Sequence, residues 1–384
     1  MQKKINIQNA TQAMAKAGLT QTVIADALDV SKEAVSQWLN DKSFPRPNKL
    51  LRLGKLLKLS LDELVIKDEP NAPVVAFRKM KGTKTKDHHV EKAQEMGRFL
   101  RHLAPYLPFD TLEMPPVLKQ PQCDYDYLQK VALKVRHDIN LSPEDIIDFT
   151  HLIRRFRELQ AVIVPVLWGN KDRHENAVHI YLPDSQTTWV YLNLDVNIHD
   201  FKFWMAHELG HCLSPSLSGE DAEDFADAFA GALLFPKDKA KQAYQDILAQ
   251  PTNHKKIECL KRIAVKELIS PNTIYVQANC YAEAHGLPKL EFSSSLYGWI
   301  TKFNQSYKNL SSALLGDVSQ LNARDYIKKT AESFETPFFD TLRHYLKQTN
   351  KGAGIIQSVT DMPLLDAQSI SANLINSANI IELN

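Results

Sequence analysis

The chain has 384 residues, of which 44% are hydrophobic and 24% charged, too many for one ordinary domain and typical of a globular protein without low-complexity blocks. A net charge of +1 excludes a polycation, so any nucleic-acid affinity must come from a local patch. Four scattered cysteines, Cys123, Cys212, Cys259 and Cys280, form no CxxC, which speaks against a disulfide framework or a thiolate zinc knuckle; with no signal peptide and no membrane-length apolar run, the expected location is the cytoplasm, with no membrane partner.

From Ile7 to about Val65 apolar residues recur at helical spacing. Within this region "QTVIADALDVSKEAVSQWL", Gln21 to Leu39, has the length of a helix, a tight turn and a second helix. Ala25 is small where the helices must cross, Val30 follows the turn, and Val35 and Trp38 lock the second helix onto the first. Ser31 is placed to cap that helix, and Asp29 stands at a turn position where the backbone tends toward positive φ. With the trailing "LLKLSLDEL", this stretch resembles the XRE helix-turn-helix family over roughly the first sixty-five residues. The resemblance implies double-stranded operator DNA as partner. It makes Lys32, Glu33, Ser36 and Gln37 the base-edge candidates, and Gln21, Asn40, Lys42 and Arg46 phosphate contacts. A homodimer is one arrangement open to such a module.

"IKDEPNAPVVAFRKMKGTKTKDHH" then changes character, with two prolines and a basic run, and reads as a linker. Helical periodicity resumes from about Val90 to Tyr106 and from about Tyr125 to Asp138. "LSPEDIIDFTHLIRRFRELQ" predicts another helix, capped by Ser142 with Pro143 in its first turn. Three β-branched and aromatic runs, "AVIVPVLWG", "AVHIYLP" and "TWVYLNLD", read as strands separated by the turn clusters "NKDRHEN" and "DSQT". "IHDFKFWMAHELGHCL" and "EDAEDFADAFAGALLFP" restore the helical period, and the remainder is mostly helical, with a break near Gly352.

In "HELGH" the imidazoles of His207 and His211 are four residues apart and project from one helix face toward a common point. Catalytic zinc takes three protein ligands and keeps one position open. Glu208, beside the first ligand, is placed to act as general base on the attacking water. The pentapeptide alone arises by chance on the order of once per hundred chains this long, so the third ligand matters. Candidates are Glu220, Asp221, Glu223, Asp224 and Asp227. Glu223 and Asp227 share a helix face, which suits a glutamate ligand and an aspartate that orients a ligand histidine; Glu220, one turn earlier, is the second choice.

"HELGH" followed by "EDFADAFAGALLFP" looks like the ImmA/IrrE family of zinc metallopeptidases. On that pattern His207, His211 and Glu223 match the metal ligands, Glu208 the catalytic base, and Asp227 the Asn/Asp position. The resemblance covers about Tyr125 to Pro236 and implies a zincin-like α+β unit holding Zn2+. The expected fold is thus α+β and mostly helical. Residues 1–68 form an all-α helix-turn-helix domain, 69–122 a linker and connecting helix, 123–250 the peptidase domain, and 251–384 a helical region of unknown role.

The implied function is a DNA-binding transcriptional regulator fused to a zinc-dependent endopeptidase that cleaves a repressor-like or toxin-like protein partner. The alternative is a non-proteolytic regulator or antitoxin whose peptidase-like domain senses a ligand or binds a partner. If a sheet edge beside the metal pairs with an extended substrate, Tyr191 or Asn193 is expected near the cleft. His199 is a candidate for helix capping or substrate contact. His174 and His179 lack ligand spacing and read as surface or core residues.

Overall fold

A computed structural model describes residues 2–40, 42–68, 71–77, 87–109, 117–169, 177–292, 296–317 and 321–376. The basic run after Phe77 and the "NKDRHEN" cluster with His174 lie outside the described residues. The chain divides into two compact units, Met1–Ala72 and Pro73–Asn384. Among the described residues, no helix is long and apolar enough to cross a membrane.

The first unit opens with strand β1 (Gln2–Ile5), followed by α1 (Ile7–Ala17), α2 (Gln21–Leu28), α3 (Lys32–Leu39), α4 (Pro47–Leu57), the short α5 (Leu61–Leu64) and strand β2 (Val65–Asp68). β1 and β2 pair antiparallel, so the unit expected to be all-α carries a two-stranded sheet that joins its two ends. Four of the five helix starts are set by a side chain that takes up an otherwise unpaired amide: Asn6 for α1, Thr20 for α2, Ser31 for α3, and a reciprocal Ser60–Glu63 box for α5; α4 begins instead with Pro47, which has no amide hydrogen to satisfy. Asp29 ends α2 in the left-handed conformation, at φ 52°. Lys49 and Arg52 of α4 donate to the last carbonyls of α2, at Leu28 and Ala27, and complement that helix's negative end. Ile24, Ala25, Leu28, Val35, Trp38, Leu53 and Leu57 form the unit's core.

The second unit begins with strand β3 (Val74–Phe77), α6 (Asp87–Leu100), a 3-10 turn, α7 (Tyr125–Asp138) and α8 (Phe149–Glu158). Strands β4 (Ala161–Val166), β5 (Ala177–Leu182) and β6 (Thr187–Asn193) lead into α9 (Ile198–Leu213) and α10 (Gly219–Leu234). Then come α11 (Lys237–Leu248), α12 (Asn253–Glu267), α13 (Pro271–Ala284), α14 (Leu296–Gln305), α15 (Leu310–Leu315), α16 (Ala323–Phe334), α17 (Phe338–Thr349), α18 (Ala353–Thr360) and α19 (Leu364–Asn376). The sheet order is β3-β5-β6-β4, with β4 parallel to β6 and the other pairs antiparallel.

The structure departs from the sequence expectations in three ways. The stretch read as linker contributes most of β2 and all of β3, because four-residue strands carry too few positions to show a strand period. The helix expected from Ser142 starts at Phe149 instead, capped by Asp148, which accepts from the Phe149 amide. Buried Arg136 is the reason: its guanidinium takes the carbonyls of Ser142, Pro143 and Asp145, and of Leu233 across the core at 2.6 Å. Those carbonyls are then unavailable to a helix. Third, β6 lies inside the sheet rather than at its edge. Tyr191 is fully buried and donates to the Val359 carbonyl at 2.7 Å, while the Asn193 side chain binds backbone at Trp168, Gly169 and Asp195. Neither residue faces a cleft.

The C-terminal helices share one hydrophobic cluster with the sheet. Tyr326 and Thr336 donate to the carbonyls of Pro165 and Ile163 in β4, and Trp168 to that of Thr360. β4 is buried along its whole length beneath them, so its side chains are apolar without alternation.

Candidate functional site

α9 is buried nearly all round from Phe201 to Leu213, as expected of a core helix rather than an amphipathic surface one. Asn197 caps it by accepting from the His199 amide at 2.9 Å. His199 itself is fully buried, its ring packed 4.1 Å from Tyr307 and 5.3 Å from Phe303. It is therefore part of an aromatic cluster and contacts no substrate-accessible surface. α10 crosses close to α9 at Gly210, where an added Cβ would stand 3.0 Å from the Ala226 Cα. That approach brings the acidic face of α10 over the histidines.

The Nε2 atoms of His207 and His211 are 3.0 Å apart. Glu223 spans them, with one carboxylate oxygen 3.5 Å from His207 and the other 3.4 Å from His211. Asp227 lies 2.8 Å from the other ring nitrogen of His207. With Nδ1–H donating to that carboxylate, the neutral form of the His207 ring directs its Nε2 lone pair toward His211 and Glu223. A tetrahedral metal with bonds near 2.1 Å separates its donor atoms by roughly 3.4 Å. Two imidazoles and a carboxylate at 3.0, 3.4 and 3.5 Å fit such an ion.

Glu208 is fully buried, and its carboxylate also lies within 4.8 Å of the histidine donors. Two carboxylates thus approach the same centre. Glu223 touches both Nε2 atoms, whereas Glu208 points toward His179, 4.0 Å away. Glu223 thus meets both histidines, with Glu208 beside them. Glu220, Asp221 and Asp224 are exposed on α10.

The charges of the cluster are mutually dependent. Burial opposes a charge on His207, but its bonds to Asp227 and Glu223 outweigh it and raise the imidazole pKa to about 9. Burial likewise opposes ionisation of Glu223, and the two histidines reverse this, holding the carboxyl at about 2. His211 is held below the ordinary imidazole value by burial. Cys212 is buried next to the site, and desolvation pushes its thiol up, which makes it an inert filler.

His179 is the site residue that sequence reasoning missed. It sits on β5, is 6% exposed, and its ring lies 5.6 Å from that of His211. Burial holds its pKa at about 3, so it is neutral. Its only signal in the sequence is a histidine within an otherwise apolar strand.

In the first unit, α3 presents Lys32, Glu33 and Gln37 to solvent, with Ser36 half-buried. Asn40 is exposed at the helix end and bonds back to the Ser36 carbonyl, and Lys42 and Arg46 are exposed in the following loop. Gln21 is half-buried at the start of α2. The polar residues form one face while Val35 and Trp38 bury the other.

No curated protein and no solved structure matches the chain. Residues 12–64 match the helix-turn-helix family model. The match supports a DNA-binding regulator and lies wholly within the first unit, whose α2–turn–α3 geometry it describes. Residues 12–64 are an XRE-type helix-turn-helix.

Proposed function

We propose that the second unit is a zincin-like, zinc-dependent endopeptidase of the ImmA/IrrE type, and that the whole chain is a regulator that cleaves a repressor-like protein partner. The observation that carries this reading is the triangle of His207, His211 and Glu223 with Asp227 on the back of His207. His207, His211 and Glu223 would hold the ion. Bound there, zinc supplies Lewis acidity toward a peptide carbonyl and toward water. Asp227 fixes the His207 ring, and Gly210 keeps α10 close enough for Glu223 to reach. Glu208 takes a proton from the attacking water as the C–O bond forms, then delivers it to the amine nitrogen as the C–N bond breaks.

The test compares zinc content and proteolysis in three proteins. Wild type should carry one zinc per chain, and His211→Ala should carry none. Glu208→Gln should retain the metal and lose cleavage of a co-expressed partner. A wild-type protein purified without stoichiometric metal overturns the reading.

A second reading, a non-proteolytic sensor or antitoxin, is favoured by one observation: the donor set and Glu208 are nearly closed to solvent, at 0–9% exposure. A transcriptional response unchanged by Glu208→Gln would select it.

A further inference from the structure

β3 pairs antiparallel with β5, with Val74 opposite Tyr181, Val75 opposite Ile180, Ala76 opposite His179 and Phe77 opposite Val178. Directly opposed residues of an antiparallel pair project from the same face. Ala76 therefore shares the face of His179, the residue that stands 4.0 Å from Glu208 and against His211. β3 also packs against α10, the helix that carries Glu223 and Asp227. The opposite sheet face is taken by α6, whose Gly97 lies close to both Pro73 and Ile180. β3 thus touches both the β5 edge that carries His179 and the helix that carries Glu223.

That position is the one an extended peptide needs. A strand added to a sheet edge gains main-chain hydrogen bonds irrespective of sequence, and alternate side chains then face the site. Without β3, the β5 edge is the edge of this sheet nearest the histidines. β3 is short, its end residue Val74 is 44% exposed, and Ala76 offers only a methyl group toward the site. Four-residue edge pairings open at lower free energy than the core strands β4 and β6.

We propose that β3 is a built-in occupant of the substrate edge, so that the chain's own Val74–Phe77 segment caps the site and must leave β5 before an extended peptide can pair there. This rests on the peptidase reading of the site. The segment directly follows the DNA-binding unit in sequence, so its release is a means of setting peptidase access from within the same chain.

The test uses the full-length zinc protein in two variants. Val74→Cys with Tyr181→Cys places a disulfide across an opposed pair and holds β3 in place. Val74→Gly, Val75→Ser, Ala76→Gly and Phe77→Ser remove the strand's β propensity at constant length. Two rates are read: zinc loss to excess phenanthroline, and cleavage of fluorescein-labelled casein. The oxidised lock should slow both by about tenfold or more, reversibly with dithiothreitol, and the unpaired variant should speed both by a similar factor. Zinc loss at the wild-type rate in both variants overturns the proposal. Faster zinc loss in the unpaired variant without any casein cleavage upholds β3 as the cap and counts against the peptidase reading.

Discussion

Asp227→Ala removes the carboxylate 2.8 Å from the Nδ1 of His207 while leaving the three donor groups in place. Such partners of ligand histidines are worth about 10–100-fold in metal affinity. The Asp227 side chain is 50% exposed, so water replaces part of the lost bond and the effect belongs at the lower end. We expect zinc to bind about tenfold more weakly, or ~1.4 kcal/mol. A competition titration against a chromogenic chelator reads this directly, with circular dichroism showing that the fold is kept. Asp227→Asn, whose amide oxygen still accepts from Nδ1–H, should recover most of the affinity. Glu220→Ala, at an exposed position on the same helix, should bind zinc as wild type does. Wild-type affinity in Asp227→Ala, or an equal loss in Glu220→Ala, refutes the assignment of the donor set.

Other expectations follow from the same geometry. Gly210→Ala forces a Cβ to 3.0 Å from the Ala226 backbone and 3.2 Å from Phe229, so α9 and α10 must separate; thermal melts should fall and zinc affinity with them, without any ligand being changed. In metal-stripped protein, the raised His207 pKa contributes stability that is fully present below the ordinary imidazole value of 6.5 and is lost as pH rises through about 9. Melting temperatures of the stripped protein should therefore decline across that window, and Asp227→Ala should flatten the decline. Gln37→Ala, on the exposed face of α3, should weaken binding to a cognate operator by about 1–3 kcal/mol while leaving the salt slope unchanged; Lys42→Ala should instead weaken all duplexes and reduce that slope. Gel-shift titrations at several salt concentrations distinguish the two.

Much of this protein was legible from short-range pattern. The caps Thr20 and Ser31, the left-handed Asp29 and the buried Ala25, Val35 and Trp38 all act within a few residues, so the helix-turn-helix could be read directly. The bounds of α9 and α10 were legible for the same reason, as was the common face of His207 and His211, which follows from helix periodicity alone. Local pattern failed where a distant group decided the outcome. Arg136 captured the carbonyls that a helix from Ser142 would have used, and Val359 took the hydroxyl of Tyr191.

The sequence by itself determined which groups are offered: two imidazoles one helical turn apart, a glutamate beside the first, and a nearby run of acids. Only the tertiary structure decided which acid reaches them, because Glu223 rather than Glu220 faces α9 across the Gly210–Ala226 contact. It also brought His179 in from a separate strand and laid β3 along that strand's free edge. Strand pairing joins residues far apart in the chain, and no periodicity within either segment records which partner the other will find.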